Sequence, residues 1–166
     1  MTVTDQTDVA DLVILDGRQS PRAAEVQRGV CRMFRALGFA TLTELPLSTG
    51  HRADVVAINR KGDIWITEIK SCVQDFRSDA KWPEYWGHCD RLFFAVPQDM
   101  PDILPAEAGL IVADRYGAEI VREVAGRPLP PARRKAVLLR FAMAGALRLD
   151  SVLEPLIDPT MARQDG

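Results

Sequence analysis

The strongest chemical signal in the sequence is a pair of carboxylates and a lysine on two neighbouring stretches with strand-like patterns. Asp54 lies in RADVVAIN, and Glu68 and Lys70 end the stretch IWITEIK fourteen residues later. Because side chains alternate along a strand, Glu68 and Lys70 point to the same face. The intervening residues 60–63, RKGD, predict a tight hairpin turn. We therefore expect Asp54 to lie across from Glu68 and Lys70, in a register that a one-residue slip would destroy.

This combination of side chains suits phosphodiester hydrolysis assisted by a divalent cation. Such a cation polarises the phosphoryl oxygen and lowers the pKa of a bound water. Mg²⁺ prefers oxygen ligands and keeps several waters, so Asp54 and Glu68 suffice to hold it, and Mn²⁺ is the alternative ion. The backbone carbonyl of Ile69 is a further candidate ligand. Lys70 would orient the attacking water or stabilise developing phosphate charge, which makes Asp54, Glu68 and Lys70 the predicted catalytic set.

The surrounding sequence predicts elements that would position this set in an α/β domain. Ser20 is a candidate N-cap for a helix that begins at Pro21 and ends before Gly38. The order helix, three strands, helix, strand predicts a mixed sheet flanked by helices. The predicted strands are 40–45, 52–59, 64–70, 91–96, 109–113 and 118–124, and the later helices are 72–81 and 132–147.

Length and composition limit the function classes. The 166 residues suit one compact domain, and we expect a flexible arm over 1–19, a folded α/β domain over 20–150 and a tail over 151–166. The three widely spaced cysteines, without a C-x-x-C pair, indicate a reduced cytoplasmic protein and argue against a zinc site. The sequence shows neither a signal-peptide pattern nor an apolar run long enough to cross a membrane, so we expect no membrane association. The net charge of −2 counts mildly against tight, sequence-independent DNA binding.

The stretch RADVVAINRKGDIWITEIK resembles the PD-(D/E)XK nuclease signature, in which an Asp is followed on the next strand by Glu-x-Lys. Ala53 stands where the signature often has proline. The resemblance implies a restriction-endonuclease-like α-β-β-β-α-β core and a Mg²⁺-dependent deoxyribonuclease. It also implies an extra acidic ligand, for which Glu25 in the first helix and Glu44 are the two candidates.

The wider chain resembles the MmcB-type bacterial DNA-repair proteins. The likeness is carried by ELPL, RADVVAI, EIKS, DFRSDAKW and YWGHCDRLFFAVP, which span residues 44–97, and it extends to about residue 150. This resemblance implies a role in DNA-damage tolerance, a cytoplasmic location, and DNA together with repair or translesion-synthesis proteins as partners.

Residues 75–91 combine alternating charges with aromatic side chains and form a candidate DNA-binding segment. Arg77 and Lys81 are candidate phosphate contacts, as is Arg52. Trp82 and Tyr85 would stack on unpaired bases or grip a DNA end. Alternatively, Tyr85 or His88 would donate a hydrogen bond to a phosphate or to a metal-bound water. The alternatives are that the aromatic residues pack in the core and that Arg52 is an exposed strand-end charge.

Three interpretations follow from these patterns. The first is a Mg²⁺-dependent DNA endonuclease. The second is a catalytically silent nuclease-fold repair factor that binds DNA or a translesion-synthesis partner. The third is an unrelated α/β module in which Glu68 and Lys70 form a surface ion pair of little energetic value. The apolar positions of the helix 132–147 belong either to the core or to a dimer face, so a homodimer is one expected state.

Overall fold

A computed structural model of the chain describes residues 9–13 and 19–154, and it places a six-stranded sheet between two helical layers. The element bounds, in chain order, are α1 Val9–Val13, α2 Pro21–Ala36, β1 Ala40–Pro46, β2 Arg52–Ile58, β3 Ile64–Ile69, α3 Val73–Arg77, a 3-10 helix Trp82–Gly87, β4 Arg91–Val96, β5 Gly109–Ala113, β6 Ala118–Arg122 and α4 Pro131–Leu153.

The strands lie side by side in chain order, from β1 to β6. The first three strands form an antiparallel meander, β4 and β5 continue in parallel with β3, and β6 is antiparallel to β5. The parallel step from β3 to β4 requires a crossover, which α3 and the 3-10 helix supply. The run from α2 to β4 therefore confirms the predicted mixed sheet and the α-β-β-β-α-β order of the restriction-endonuclease-like core.

Helix α2 covers one face of the sheet, and its ends follow from its sequence. The Ser20 hydroxyl accepts a hydrogen bond from the Ala23 amide at 3.2 Å, as an N-cap does. At the other end Gly38 has a φ of +83°, and the Phe39 amide donates to the Phe34 carbonyl at 2.9 Å. This Schellman-type ending confirms the predicted boundary. The buried stripe of the helix comprises Ala23, Val26, Gly29, Val30 and Phe34.

The opposite face of the sheet is covered by α4, by α1 and by the segment between β3 and β4. The hydrophobic core on this face includes Ile64 and Ile66 of β3, Phe94 of β4, and Val137 and Ala144 of α4. Because Glu68 follows Ile66 by two residues, its side chain lies on the same face of the sheet as Ile64 and Ile66. None of the helices within residues 9–13 and 19–154 has the length and apolar character that a bilayer-spanning segment needs.

Three differences from the sequence predictions are larger than a shift of one or two residues at the end of an element. Within the predicted flexible arm, Val9–Val13 is helical, because Leu12 is buried and its carbonyl accepts a hydrogen bond from Arg148 at 2.9 Å. The predicted helix over 72–81 is shortened to α3. Helix α4 continues past residue 150 to Leu153. Residues 1–8, 14–18 and 155–166, which make up the rest of the predicted arm and tail, lie outside the described residues.

Candidate active site

The predicted carboxylate pair forms where the main-chain pairing of β2 and β3 ends. The ladder runs from Ile58 opposite Ile64 to Val55 opposite Thr67. One step further, the same register sets Asp54 opposite Glu68. At this step the Asp54 amide donates to Glu68 Oε1 at 3.1 Å.

In a second hydrogen bond at this point, a side-chain oxygen accepts in place of the main-chain carbonyl that a regular strand pair would provide. The Ile69 amide donates to Asp54 Oδ2 at 2.7 Å, so each carboxylate accepts a hydrogen bond from the main chain of the opposite strand. The two bonds fix both carboxylates between the diverging strands. The structure thus brings together Asp54, Glu68 and the main chain of Ile69, in the register that the sequence analysis required.

Both carboxylates are held in a setting that disfavours their charges. The pKa of Asp54 is raised from its ordinary 3.8 to about 6, above all by burial. The Ile69 hydrogen bond and the Lys70 charge oppose this rise, and the nearby charges of Glu44 and Asp79 contribute to it. Burial and then the charge of Asp54 raise the pKa of Glu68 well above its ordinary value. A cation between the two carboxylates would offset both the desolvation and the mutual repulsion.

Lys70 is the third member of the predicted set, and it is ion-paired. Its Nζ lies 2.6 Å from Asp79 Oδ2, and the two side chains are only 9% and 16% exposed. Asp79 lies just beyond the end of α3, at the point where the predicted helix fails to continue. A buried charge is destabilising unless a group of opposite charge contacts it. Asp79 is therefore part of the site, although the sequence analysis recognised it only within an alternating-charge segment.

The turn after β3 is fixed by Asp75, which is not part of the predicted site. Asp75 Oδ2 accepts hydrogen bonds from the Ser71 amide at 3.1 Å, the Ser71 hydroxyl at 2.6 Å and the Cys72 amide at 3.2 Å. The Ser71 hydroxyl bond above all lowers the pKa of Asp75. This capping turn starts α3 directly after Lys70.

The two candidates for an extra acidic ligand occupy different places. Glu44 in β1 lies level with Asp54, because its neighbours Thr43 and Leu45 pair with Val55 and Ala53 of β2. Glu44 has a φ of +51°, which is an unusual backbone conformation for a residue other than glycine. Arg148 donates to the Glu44 carbonyl at 3.0 Å. Glu25 instead lies on the exposed side of α2, 3.8 Å from Arg115. Of the two, the structure brings only Glu44 to the carboxylate pair.

The predicted DNA-contacting residues divide into buried and exposed groups. Tyr85 is 7% exposed, its hydroxyl donates to the Arg52 carbonyl at 3.2 Å, and burial followed by the charge of Glu68 raises its pKa. Trp82 packs edge-to-face on Phe94, with ring centroids 5.6 Å apart. The ring of Tyr85 is enclosed by the core, which disfavours stacking on bases, so its contact with DNA stays a prediction. Trp82 packs against Phe94, as the alternative interpretation expects.

The three basic candidates also differ in exposure. Arg77 at the end of α3 and Lys81 before the 3-10 helix are exposed, whereas Arg52 is half-buried at the start of β2. Their contacts with phosphate stay predictions. On the other side of the site, the Gln27 side-chain amide donates to the Asp54 carbonyl at 3.3 Å. Gln27 is thus the residue of α2 that contacts the site, and no pattern in the sequence distinguished it.

The donor set fits a hard divalent cation with few protein ligands. Within residues 9–13 and 19–154, no group of three or more acidic, histidine or cysteine side chains is arranged around one ion position. Asp54 and Glu68 supply two carboxylates, and the Ile69 carbonyl stays the predicted third oxygen. Mg²⁺ commonly takes one or two carboxylates and completes its shell with water and substrate oxygens, so this pair is sufficient.

Comparison with known proteins assigns this chain to a family. The sequence profile described as "DNA repair protein MmcB-like" matches residues 10–155. The chain belongs to the MmcB-like family. No curated protein sequence matches it significantly.

Two solved structures are similar to this MmcB-like chain. The "SPO1766 protein of unknown function from Silicibacter pomeroyi" is 43% identical, with a TM-score of 0.78 over 87% of this chain and 97% of that one. A repair endonuclease from Pyrococcus abyssi is 21% identical, with a TM-score of 0.33 over 54% of this chain and 42% of that one. The profile match confirms the predicted resemblance to the MmcB-type DNA-repair family.

Proposed function

We propose that this MmcB-like chain is a divalent-metal-dependent phosphodiester hydrolase that acts on DNA during repair. The observation that carries the proposal is the pair formed by Asp54 and Glu68, a half-buried and a buried carboxylate held opposite each other by main-chain hydrogen bonds. A purely structural role for this pair is hard to reconcile with the raised pKa of both groups, because each charge lowers the stability of the fold. Membership of a DNA-repair family supports DNA as the substrate.

In this proposal each residue has a definite role. Asp54 and Glu68 would hold Mg²⁺ or Mn²⁺, which would supply charge neutralisation at the phosphoryl oxygens and acidify water. Lys70 would donate a hydrogen bond to the scissile phosphate or to the attacking water. Asp79 holds the Lys70 ammonium group in place through an ion pair of 2.6 Å. Arg77 and Lys81 are the proposed phosphate contacts at the rim of the site.

The proposed location is the cytoplasm. In support, the three cysteines, which all lie among the described residues, are free thiols, and Cys72 is exposed. Exposed free thiols are typical of a reducing compartment.

The first experiment is calorimetric titration of the purified chain with Mg²⁺ and with Mn²⁺. We expect binding in the wild type and its loss in Asp54→Asn, which keeps the shape and the hydrogen-bond acceptor. The matched control is Asp63→Asn, at the turn end of the same hairpin, which should bind as the wild type does. Metal binding that persists in Asp54→Asn would refute the assigned ligands.

Cleavage is tested next with single-stranded, duplex and branched DNA in Mn²⁺ and Mg²⁺. We expect Lys70→Met to abolish cleavage while metal binding is retained, because Lys70 contacts the reacting groups and not the ion. Lys61→Met, in the exposed hairpin turn, is the control and should cleave normally. Full activity of Lys70→Met would remove Lys70 from the catalytic set.

A catalytically silent repair factor is the second candidate, and one observation favours it. The ammonium group of Lys70 is engaged by Asp79 at 2.6 Å, so a phosphate would have to compete with a carboxylate already in contact. In this case the wild type binds DNA or a translesion-synthesis partner without cutting. Cells that carry Lys70→Met would then tolerate DNA damage as well as wild-type cells, whereas a nuclease role predicts sensitivity.

A further inference from the structure

The outer side of α4 carries an apolar seam that the described part of the chain leaves uncovered. The inner side of the helix is buried through Val137, Arg140 and Ala144. On the outer side, Leu139 is 57% exposed, Leu149 60% and Leu153 47%. Single exposed leucines are ordinary, but three on one side of a helix, connected by the exposed Ala142 and Ala146, mark an interaction surface.

The seam has the spacing of a helix that packs along another helix. Its members, spaced alternately four and three residues apart, are Lys135, Leu139, Ala142, Ala146, Leu149 and Leu153. This spacing is the heptad pattern of residues that face a partner helix. The two alanines at the centre allow close approach of a second helix, while the leucines on either side supply the area that is buried.

The seam is also symmetric about its centre, which selects the partner. Ala142 and Ala146 lie two residues before and after Ala144, and Leu139 and Leu149 lie five residues before and after it. If two copies of α4 pack antiparallel about this point, each Leu139 faces Leu149 of the other copy, and each Ala142 faces Ala146. A surface that is complementary to itself in this way is what a two-fold dimer requires.

The charges along α4 favour the same arrangement. The beginning of the helix is basic through Arg133 and Lys135, and its end is acidic through Asp150 and Glu154, all of them exposed. An antiparallel pair sets the basic end of one helix beside the acidic end of the other. Lys135 then lies next to Leu153 of the second copy, within reach of its neighbours Asp150 and Glu154. A parallel pair would instead set like charges together.

We propose that α4 is a homodimer interface on which a second copy of this chain docks antiparallel, with the two-fold axis at the level of Ala144. One helix from each copy provides an interface at the small end of the usual range, so the dimer is in exchange with monomer at micromolar concentrations. The interface lies on the outer side of α4, away from the sheet, and its existence does not depend on the proposed nuclease activity.

Sedimentation velocity on the full chain at increasing concentration tests the proposal. We expect a monomer–dimer equilibrium in the wild type. Leu139→Glu, at a site exposed in the monomer, should raise the dimer dissociation constant by about a hundredfold, since two buried leucines are lost per dimer. Circular dichroism would verify that the variant is folded.

A double variant tests the antiparallel register. Leu139→Glu combined with Leu149→Lys creates two facing charge pairs per dimer, and we expect it to restore dimerisation. Leu139→Glu combined with Val121→Lys has the same net charge, but Val121 lies on β6 away from the seam, so it should stay monomeric. A wild type that is monomeric at hundreds of micromolar would overturn the interface. Equal rescue by both double variants, or by neither, would overturn the register.

Discussion

Neutralising Asp54 should make the metal-free protein more stable, although it removes a residue of the proposed active site. Burial above all raises the pKa of this carboxyl from 3.8 to about 6, so the folded chain favours the protonated form more than the unfolded chain does. The neutral side chain of the Asp54→Asn variant imitates that protonated form. A change of this size corresponds to about 3 kcal/mol between the two protonation states. We therefore expect Asp54→Asn to raise the free energy of unfolding by up to about 3 kcal/mol, or roughly 6–12 °C in Tm.

The pH dependence of this gain has a definite sign. A raised pKa in the folded state means that ionisation of Asp54 costs stability, and the cost is complete above about pH 6. As the pH falls from 6 towards 4, the folded wild type takes up the proton and the cost disappears. The stability difference between Asp54→Asn and wild type should therefore be largest near pH 8 and close to zero near pH 4.

The assay is thermal unfolding in a chelating agent at pH 4, 6 and 8, followed by the same series with excess Mg²⁺ at pH 8. We expect the added ion to stabilise the wild type and to leave Asp54→Asn unchanged. Asp99→Asn is the matched control, because Asp99 is an exposed carboxylate paired with Arg22 and should change stability little at any pH. An Asp54→Asn variant less stable than the wild type at pH 8, or a gain independent of pH, would refute the reasoning.

Two further predictions concern how α2 and α4 are held against the rest of the fold. Gly29→Ala should lower the free energy of unfolding by several kcal/mol in urea titrations, because a Cβ at this position of α2 would collide with the Asp114 carbonyl oxygen. The control is Gly145→Ala on α4, where the nearest atom is 3.8 Å away, and it should be neutral or stabilising. Equal effects of the two substitutions would contradict the close approach of α2 to Asp114. Asp90→Ala should cost about 3 kcal/mol in the same assay, since the carboxylate holds Arg134 through two bonds of 2.6 and 2.7 Å; a loss below about 1 kcal/mol would show that the pair is dispensable.

The hairpin that carries the site could be predicted from sequence because its signals are local. The turn residues 60–63 and the alternation along both strands fix the pairing, and the pairing in turn sets Asp54 opposite Glu68. Gly62 takes a φ of +83° in this turn, and Asn59 Oδ1 accepts from the Lys61 amide at 2.9 Å. A sequence pattern of this kind determines register whenever one face of the hairpin is buried.

The parts of the site that escaped prediction depend on contacts between distant segments. Asp79 contributes only because α3 ends early and the chain turns back to Lys70, and no periodicity encodes that return. Tyr85 was assigned to DNA because an aromatic residue among charges suits stacking, but the 3-10 helix turns it into the core. Gln27 contacts the Asp54 carbonyl from another element. Each of these positions is set by tertiary packing, which local patterns do not record.

The end of the β2–β3 ladder explains why the chain concentrates its acidic groups at this point. Where regular strand pairing continues, main-chain groups satisfy each other and side chains are free to be apolar, as Ile64 and Ile66 are. Where pairing stops, unpaired amides need acceptors, and Asp54 and Glu68 supply them from the opposite strand. These bonds hold both carboxylates in place in spite of their repulsion. The same break in the sheet that leaves amides in need of acceptors therefore brings together two carboxylates whose charges a divalent cation would neutralise.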